Sequence, residues 1–320
     1  MFATKRLLTA IGATVLFVLT IRPDARADLE VVASIKPIHS LVAGVMGGDL
    51  GPRLILDGPA SPHSYSLRPS GASTLGRADL IFWVGHNLES FLEKPIDSLG
   101  GDATVITLME APDVELVSFR EGTTFERHTD DHAGGEEQDG RPSGEESHLD
   151  PHIWLDPANT QALVRAITHA LIAADPEHAP LYAGNAQSLH ARIEKLSAEI
   201  DAMLEPVRAQ PFFVFHDGYR YMERRYGLAA AGSITLSPET PPGAGRVRDI
   251  RDKIRTLGAT CVFTEPQFPP TLVNVVTAGT DARTGVLDPL GTGLPAGPDL
   301  YFTLMRNMAA AMRACLSPTE

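Results

Sequence analysis

Cysteine is scarce: Cys261 and Cys315 are the only two in 320 residues. They stand far apart in sequence, unlike the closely spaced thiolates of a zinc cluster, and neither lies near the chain start where an acylated membrane tether would need one. Basic side chains are also too few. Lys and Arg number 27 against 40 Asp and Glu, and a net charge of −13 would repel a phosphate backbone, so no nucleic-acid partner is expected. Long apolar runs are missing as well: the longest, Leu7 to Ile21, stops short of the roughly 20 residues that span a bilayer. Neither a His-Glu-x-x-His helix nor a Gly-x-Ser-x-Gly elbow occurs, which removes the local signatures of a zinc protease and a serine hydrolase.

What is present begins with a leader. Lys5 and Arg6 precede the apolar run, and Ala25-Arg26-Ala27 is a small-x-small cleavage site, so residues 1–27 read as a signal peptide for export to the periplasm. In that oxidising compartment the two cysteines are expected to form one disulfide, tying the last helix to a strand. The composition of the full 320 residues, 43% hydrophobic and 21% charged, is that of a globular chain with a sizeable core.

Apolar periodicity predicts alternating strands and helices from Leu29 to Leu108, forming an N-terminal α/β lobe within 28–157. Residues 113–148 hold eleven acidic side chains and few large apolar ones, too little to offset the entropy of ordering, and read as a mobile acidic loop. A helical bridge follows over 158–208, in which Leu189, Ile193, Leu196, Ile200, Met203 and Val207 make one apolar stripe on a long helix. The alternation then resumes as a C-terminal α/β lobe over 209–320. The fold class is thus α/β: two lobes with parallel sheets joined by a long bridging helix, with the site in the interlobe cleft at the carboxyl ends of the strands.

The chemistry-bearing residues fall at those ends. His39 opens the first helix, His63 follows the Gly58-Pro59-Ala60-Ser61-Pro62 turn, His152 precedes the bridge, and His216 and Asp288 end strands of the second lobe. Neutral imidazoles with a carboxylate can complete a tetrahedral zinc shell, whereas a lone histidine is more often a surface or hydrogen-bonded core residue. His86, His169, His178 and His190 read as surface residues, and Trp154 as core. Glu265, ending another strand, is placed either to orient an imidazole or to serve as a structural hydrogen-bond partner.

Several stretches are long enough to be specific: Ile35-Lys36-Pro37-Ile38-His39-Ser40-Leu41, the run from Gly58 to Ser70 through Pro62-His63-Ser64, His152-Ile153-Trp154-Leu155-Asp156-Pro157, Phe213-Val214-Phe215-His216-Asp217, Cys261 to Phe268, and Leu287-Asp288-Pro289-Leu290-Gly291. In this order they resemble motifs of the ZnuA-type periplasmic zinc-binding proteins, the substrate-binding components of zinc ABC importers, over essentially the whole mature chain. The resemblance implies Zn2+ as a transported ligand held by His63, His152 and His216, with Asp288 or water completing the shell, and a Cys261–Cys315 disulfide. It further implies a monomer that hands its ion to a membrane permease, binds no nucleotide and is not an enzyme. His39 is a weaker carry-over, as ligand or approach residue. The loop departs from the family: many relatives carry a histidine run there, while here His128, His132 and His148 stand among carboxylates, leaving a solvated insertion or weak metal capture as the two readings.

An imidazole-rich shell suits zinc, and by affinity order copper or nickel, over manganese, which prefers oxygen. Competing readings are a manganese or other divalent-metal binder of the same fold, a zinc-dependent hydrolase with an open fourth position, and an adhesin. Because ligand imidazoles must be neutral, binding is expected to weaken below about pH 6.

Overall fold

The hydrophobic pattern of each strand dictates what has to cover it. The structure, a computed structural model, describes residues 29–47, 51–120, 148–235 and 242–318; the expected signal peptide and most of the expected acidic loop, with His128 and His132, lie outside them. In chain order, β1 (Val31–Ala33), α1 (Lys36–Met46), β2 (Arg53–Leu54), α2 (Pro69–Leu75), β3 (Leu80–Trp83), α3 (His86–Leu99) and β4 (Thr104–Thr107) form the first lobe. Helices α4 (Pro157–Ala174) and α5 (Ala179–Leu204) follow. The second lobe comprises β5 (Phe212–His216), α6 (Arg220–Tyr226), β6 (Ala230–Thr235), α7 (Ala244–Thr256), β7 (Cys261–Thr264), α8 (Thr271–Thr277) and β8 (Arg283–Val286), and α9 (Leu300–Leu316) closes the described chain.

The two sheets are wholly parallel and share one strand order, β2-β1-β3-β4 and β6-β5-β7-β8. Both central strands are buried on both faces, as parallel sheets demand. Alternate residues therefore enter different cores. Val31 and Ala33 of β1, Leu80 and Phe82 of β3, and Phe212 and Val214 of β5 face one large cluster; Val32, Ile81 and Trp83 face an outer cluster of the first lobe, and Phe213 and Phe215 one of the second. The large cluster is continuous beneath both lobes. It takes in Leu41 and Val45 of α1, Leu163 and Ile167 of α4, Leu189, Ile193, Leu196 and Ile200 of α5, and Leu304, Met305 and Met308 of α9.

Helix α5 has 26 residues, about 39 Å at 1.5 Å per residue, slightly shorter than its stripe suggests. The helix proper stops at Leu204, and Glu205–Val207 tighten into a 3-10 turn that still buries Val207, while Met203 is only partly buried. Local chemistry sets other ends: Asp156 caps α4 by accepting from the Ala158 amide at 2.8 Å ahead of Pro157, and Gly227 ends α6 at φ 65°, where a side chain would be strained.

One expectation needs correction. Residues 113–120, assigned to the mobile loop, are fixed by specific bonds. Glu115 and Asn159 exchange two hydrogen bonds at 2.9 Å, Val117 is buried with its amide on Tyr221 Oη, and Ser118 bridges Leu149. Charge density hid the apolar Val117 and the sequence-distant partners that offset its ordering. The Cys261–Cys315 disulfide is present, its Cα atoms 5.9 Å apart, and ties the start of β7 to the last turn of α9.

Candidate metal centre

Three histidines reach one point from three kinds of backbone. His216 is the last residue of β5, so the strand fixes its direction; His152 follows Asp150-Pro151 at the head of a 3-10 turn; His63 lies in the turn after β2, where Ser61 Oγ accepts from its amide at 3.3 Å. Their ring centroids are 5.4 Å (His63–His152), 5.8 Å (His63–His216) and 5.1 Å (His152–His216) apart. One ring nitrogen from each lies within 4.8 Å of the others, the only such group of three or more metal-capable side chains among the described residues.

For His152 and His216, the nitrogens that meet are defined by what holds the far side of the ring. Asp150 Oδ1 accepts from His152 Nδ1 at 2.7 Å and from the His152 amide at 3.0 Å; Glu265 Oε1 accepts from His216 Nδ1 at 2.7 Å. With Nδ1–H so engaged, both Nε2 atoms turn inward and stand 3.2 Å apart. Two nitrogens on a tetrahedral zinc at 2.0–2.1 Å would be separated by about 3.3 Å, so the pair already has the spacing of a shared ion. His63 Nε2 is buried and has no hydrogen-bond partner, a costly arrangement for a polar atom unless something else fills its lone pair.

Burial governs the protonation of two rings. It drives the His63 pKa well below 6.5, helped by the other two imidazoles, and pulls His152 down to about 3. The same desolvation pushes the wholly buried Asp150 up to about 7. His216 goes the other way: burial lowers it, but the charge and hydrogen bond of Glu265, then Asp150 and Asp217, outweigh that and leave it raised. The cavity among the rings, walled also by Trp154, Phe268 and Pro289, measures about 10 Å3, room for about one water-sized particle. A larger cavity of about 280 Å3, walled by Glu115, Asp156, Tyr221, Arg224 and Arg225, shares no residue with it, and the Asp156 carboxylate there is already bonded to Arg225 at 2.7 and 2.9 Å.

The other candidates stand elsewhere. Asp288 does not join the trio: Oδ1 accepts from Gln267 Nε2 at 3.0 Å and the Leu290 amide at 3.2 Å, and Oδ2 from the Thr292 amide at 2.6 Å, so the carboxylate closes its own loop. His39 is buried on α1 with Nε2 bonded to the Pro52 carbonyl at 2.9 Å. His148 is exposed, and its carbonyl accepts from the Phe119 amide. Glu265 holds His216, as an orienting acceptor would. Trp154 is core, and its indole also donates to the Pro289 carbonyl at 2.9 Å. His86, His169 and His178 are exposed, while His190 is half-buried against Gln161. Asp150 was not anticipated, although a carboxylate two residues before a histidine at a turn is a readable signal. Nor was Arg120, which binds Asp217 at 3.1 Å and Glu223 at 2.8 Å across the lobes; within a charge-rich stretch nothing in the sequence marks it.

A family model described as "Zinc-uptake complex component A periplasmic" (ZnuA) matches residues 31–315. The "High-affinity zinc uptake system protein ZnuA" of Brucella suis biovar 1 (strain 1330) is 49% identical over 307 residues, covering 90% of this chain and 91% of that protein. Its namesake from Yersinia pestis is 35% identical, covering 92% and 93%. The crystal structure of ZnuA has the same fold, with a TM-score of 0.75 at 21% identity over 90% of this chain and 99% of that one.

Proposed function

Because the chain belongs to the ZnuA family of periplasmic zinc-uptake components, we propose that it captures Zn2+ between His63, His152 and His216 and delivers it to the membrane permease of an ABC importer. The observation that carries this reading is the convergence of the ring nitrogens, two of them already at the spacing of a shared tetrahedral ion. Asp150 and Glu265 supply the outer carboxylates that fix tautomer and direction and raise ligand basicity. Solvent supplies the fourth donor, since Asp288 would have to abandon Gln267 and Thr292 to reach the rings. A cavity of about 10 Å3 among the rings suits a single ion. Export through cleavage after Ala27 and action as a monomer complete the proposal.

Metal content of the purified mature chain, followed by calorimetric titration, tests it. The expected result is one zinc per chain, lost together with high affinity in His63→Ala, His152→Ala and His216→Ala. Undiminished binding in any two of these variants would move the site elsewhere.

A further inference from the structure

Lys36 is an odd residue to find where it is. It opens α1, at the helix end whose unpaired amides repel a cation, and its side chain is only 8% exposed. A buried ammonium needs partners, and it has three from two lobes. Nζ donates to the Thr292 and Leu294 carbonyls of the second lobe, each at 3.0 Å, and meets Asp57 Oδ1 of the first at 3.2 Å. Asp57 lies six residues before His63, in the segment that leads from β2 into the His63 turn. Thr292 belongs to the loop closed by Asp288, whose Pro289 carbonyl is also held by Trp154, two residues from His152. One ammonium thus joins the approach to His63 with a wall of the metal cavity on the opposite lobe.

We propose that Lys36 is a positioning residue that slows ion release by fastening the His63 turn to the 288–294 loop across the lobe boundary. This rests on the zinc reading above. Asp57 is 74% exposed, so its bond to Lys36 contributes little to folding by itself.

The test is the rate at which zinc-loaded mature protein gives up its ion to excess chelator in stopped flow, for the wild type, Lys36→Met, Asp57→Asn and the double variant. Lys36→Met is expected to release on the order of fivefold faster, the low end of coupling between sites, and Asp57→Asn faster by a smaller factor. The double variant is expected to match Lys36→Met alone. Absorption spectra of the cobalt-loaded forms are expected to coincide, because the ligands are unchanged. Release from Lys36→Met within about twofold of wild type, or an Asp57→Asn effect that persists in full without Lys36, overturns the proposal. If Lys36→Met does not fold, Asp57→Asn decides: an unchanged rate overturns the proposal and a faster one upholds it. Failure of the zinc reading is separate, since wild type would then hold no stoichiometric zinc or lose none on His63→Ala, and the Lys36 proposal would fall with it.

Discussion

Two of the three imidazoles are backed and one is not. His152 and His216 each lean on a buried carboxylate and face each other at 3.2 Å, whereas among the described residues no carboxylate holds the His63 ring, which arrives on a turn with its Nε2 unpaired. The contrast teaches a division of labour. The backed pair is oriented before any ion comes, at the cost of burying two acids; the unbacked ring is kept neutral by its burial and by the two neighbouring imidazoles, and on the proposed reading its partner would be the ion.

The comparison breaks most visibly when the rings are removed. Loss of His152 or His216 is expected to weaken zinc binding by more than the roughly 10- to 100-fold that an outer carboxylate costs, and loss of His216 also takes from the buried Glu265 the ring that its Oε1 holds. Metal-free His216→Ala should therefore melt lower, by the equivalent of about 1–3 kcal/mol for an orphaned buried acceptor, while metal-free His63→Ala should melt no lower than wild type. Calorimetry of the apo-proteins separates the two classes, and equal losses would erase the distinction. Next in size is Glu265→Gln, which keeps the shape but not the charge: about 10- to 100-fold weaker zinc binding by competition titration, with His63 and His152 intact.

Acidity sharpens the same contrast. His63 and His152, lowered by burial, have no proton to shed near neutrality, whereas His216, raised above 6.5 chiefly by Glu265 against its burial, must lose one. Apparent affinity should accordingly fall at least about tenfold per pH unit once pH drops below the raised value of His216, and more steeply where Asp150, pushed up to about 7, also takes a proton. That onset lies higher than the pH of about 6 expected from unperturbed imidazoles. Glu265→Gln should shift it downward, and an onset that stays put would remove Glu265 as its cause. The smallest effect on zinc is expected from replacing both cysteines by serine. The disulfide joins the end of β7 opposite Glu265 to α9, so stability should drop by about 2–5 kcal/mol in denaturant titration while affinity holds.

Much of this was legible in the chain. An unbroken apolar run such as Leu80-Ile81-Phe82-Trp83 announces a strand buried on both sides, and the end of the Phe212–His216 strand places His216 at the sheet edge where the three imidazoles meet. Position along the chain does not say which way a side chain turns. Asp288 sits where a ligand could sit, yet the amides of Leu290 and Thr292 are nearer than the rings and take its oxygens. Arg120 was invisible for a different reason: its partners Asp217 and Glu223 are about a hundred residues away, and local composition cannot report a contact made at that distance.

The continuous core beneath the two sheets has a consequence for whatever receives the ion. Helices α1, α4, α5 and α9 weld the halves into one body, so a wide hinge-like swing would tear apolar surface into water. Cargo aboard or not, the outline offered to the importer changes little, and the receiver has to sense its passenger at the rim of the groove rather than from the silhouette of the carrier.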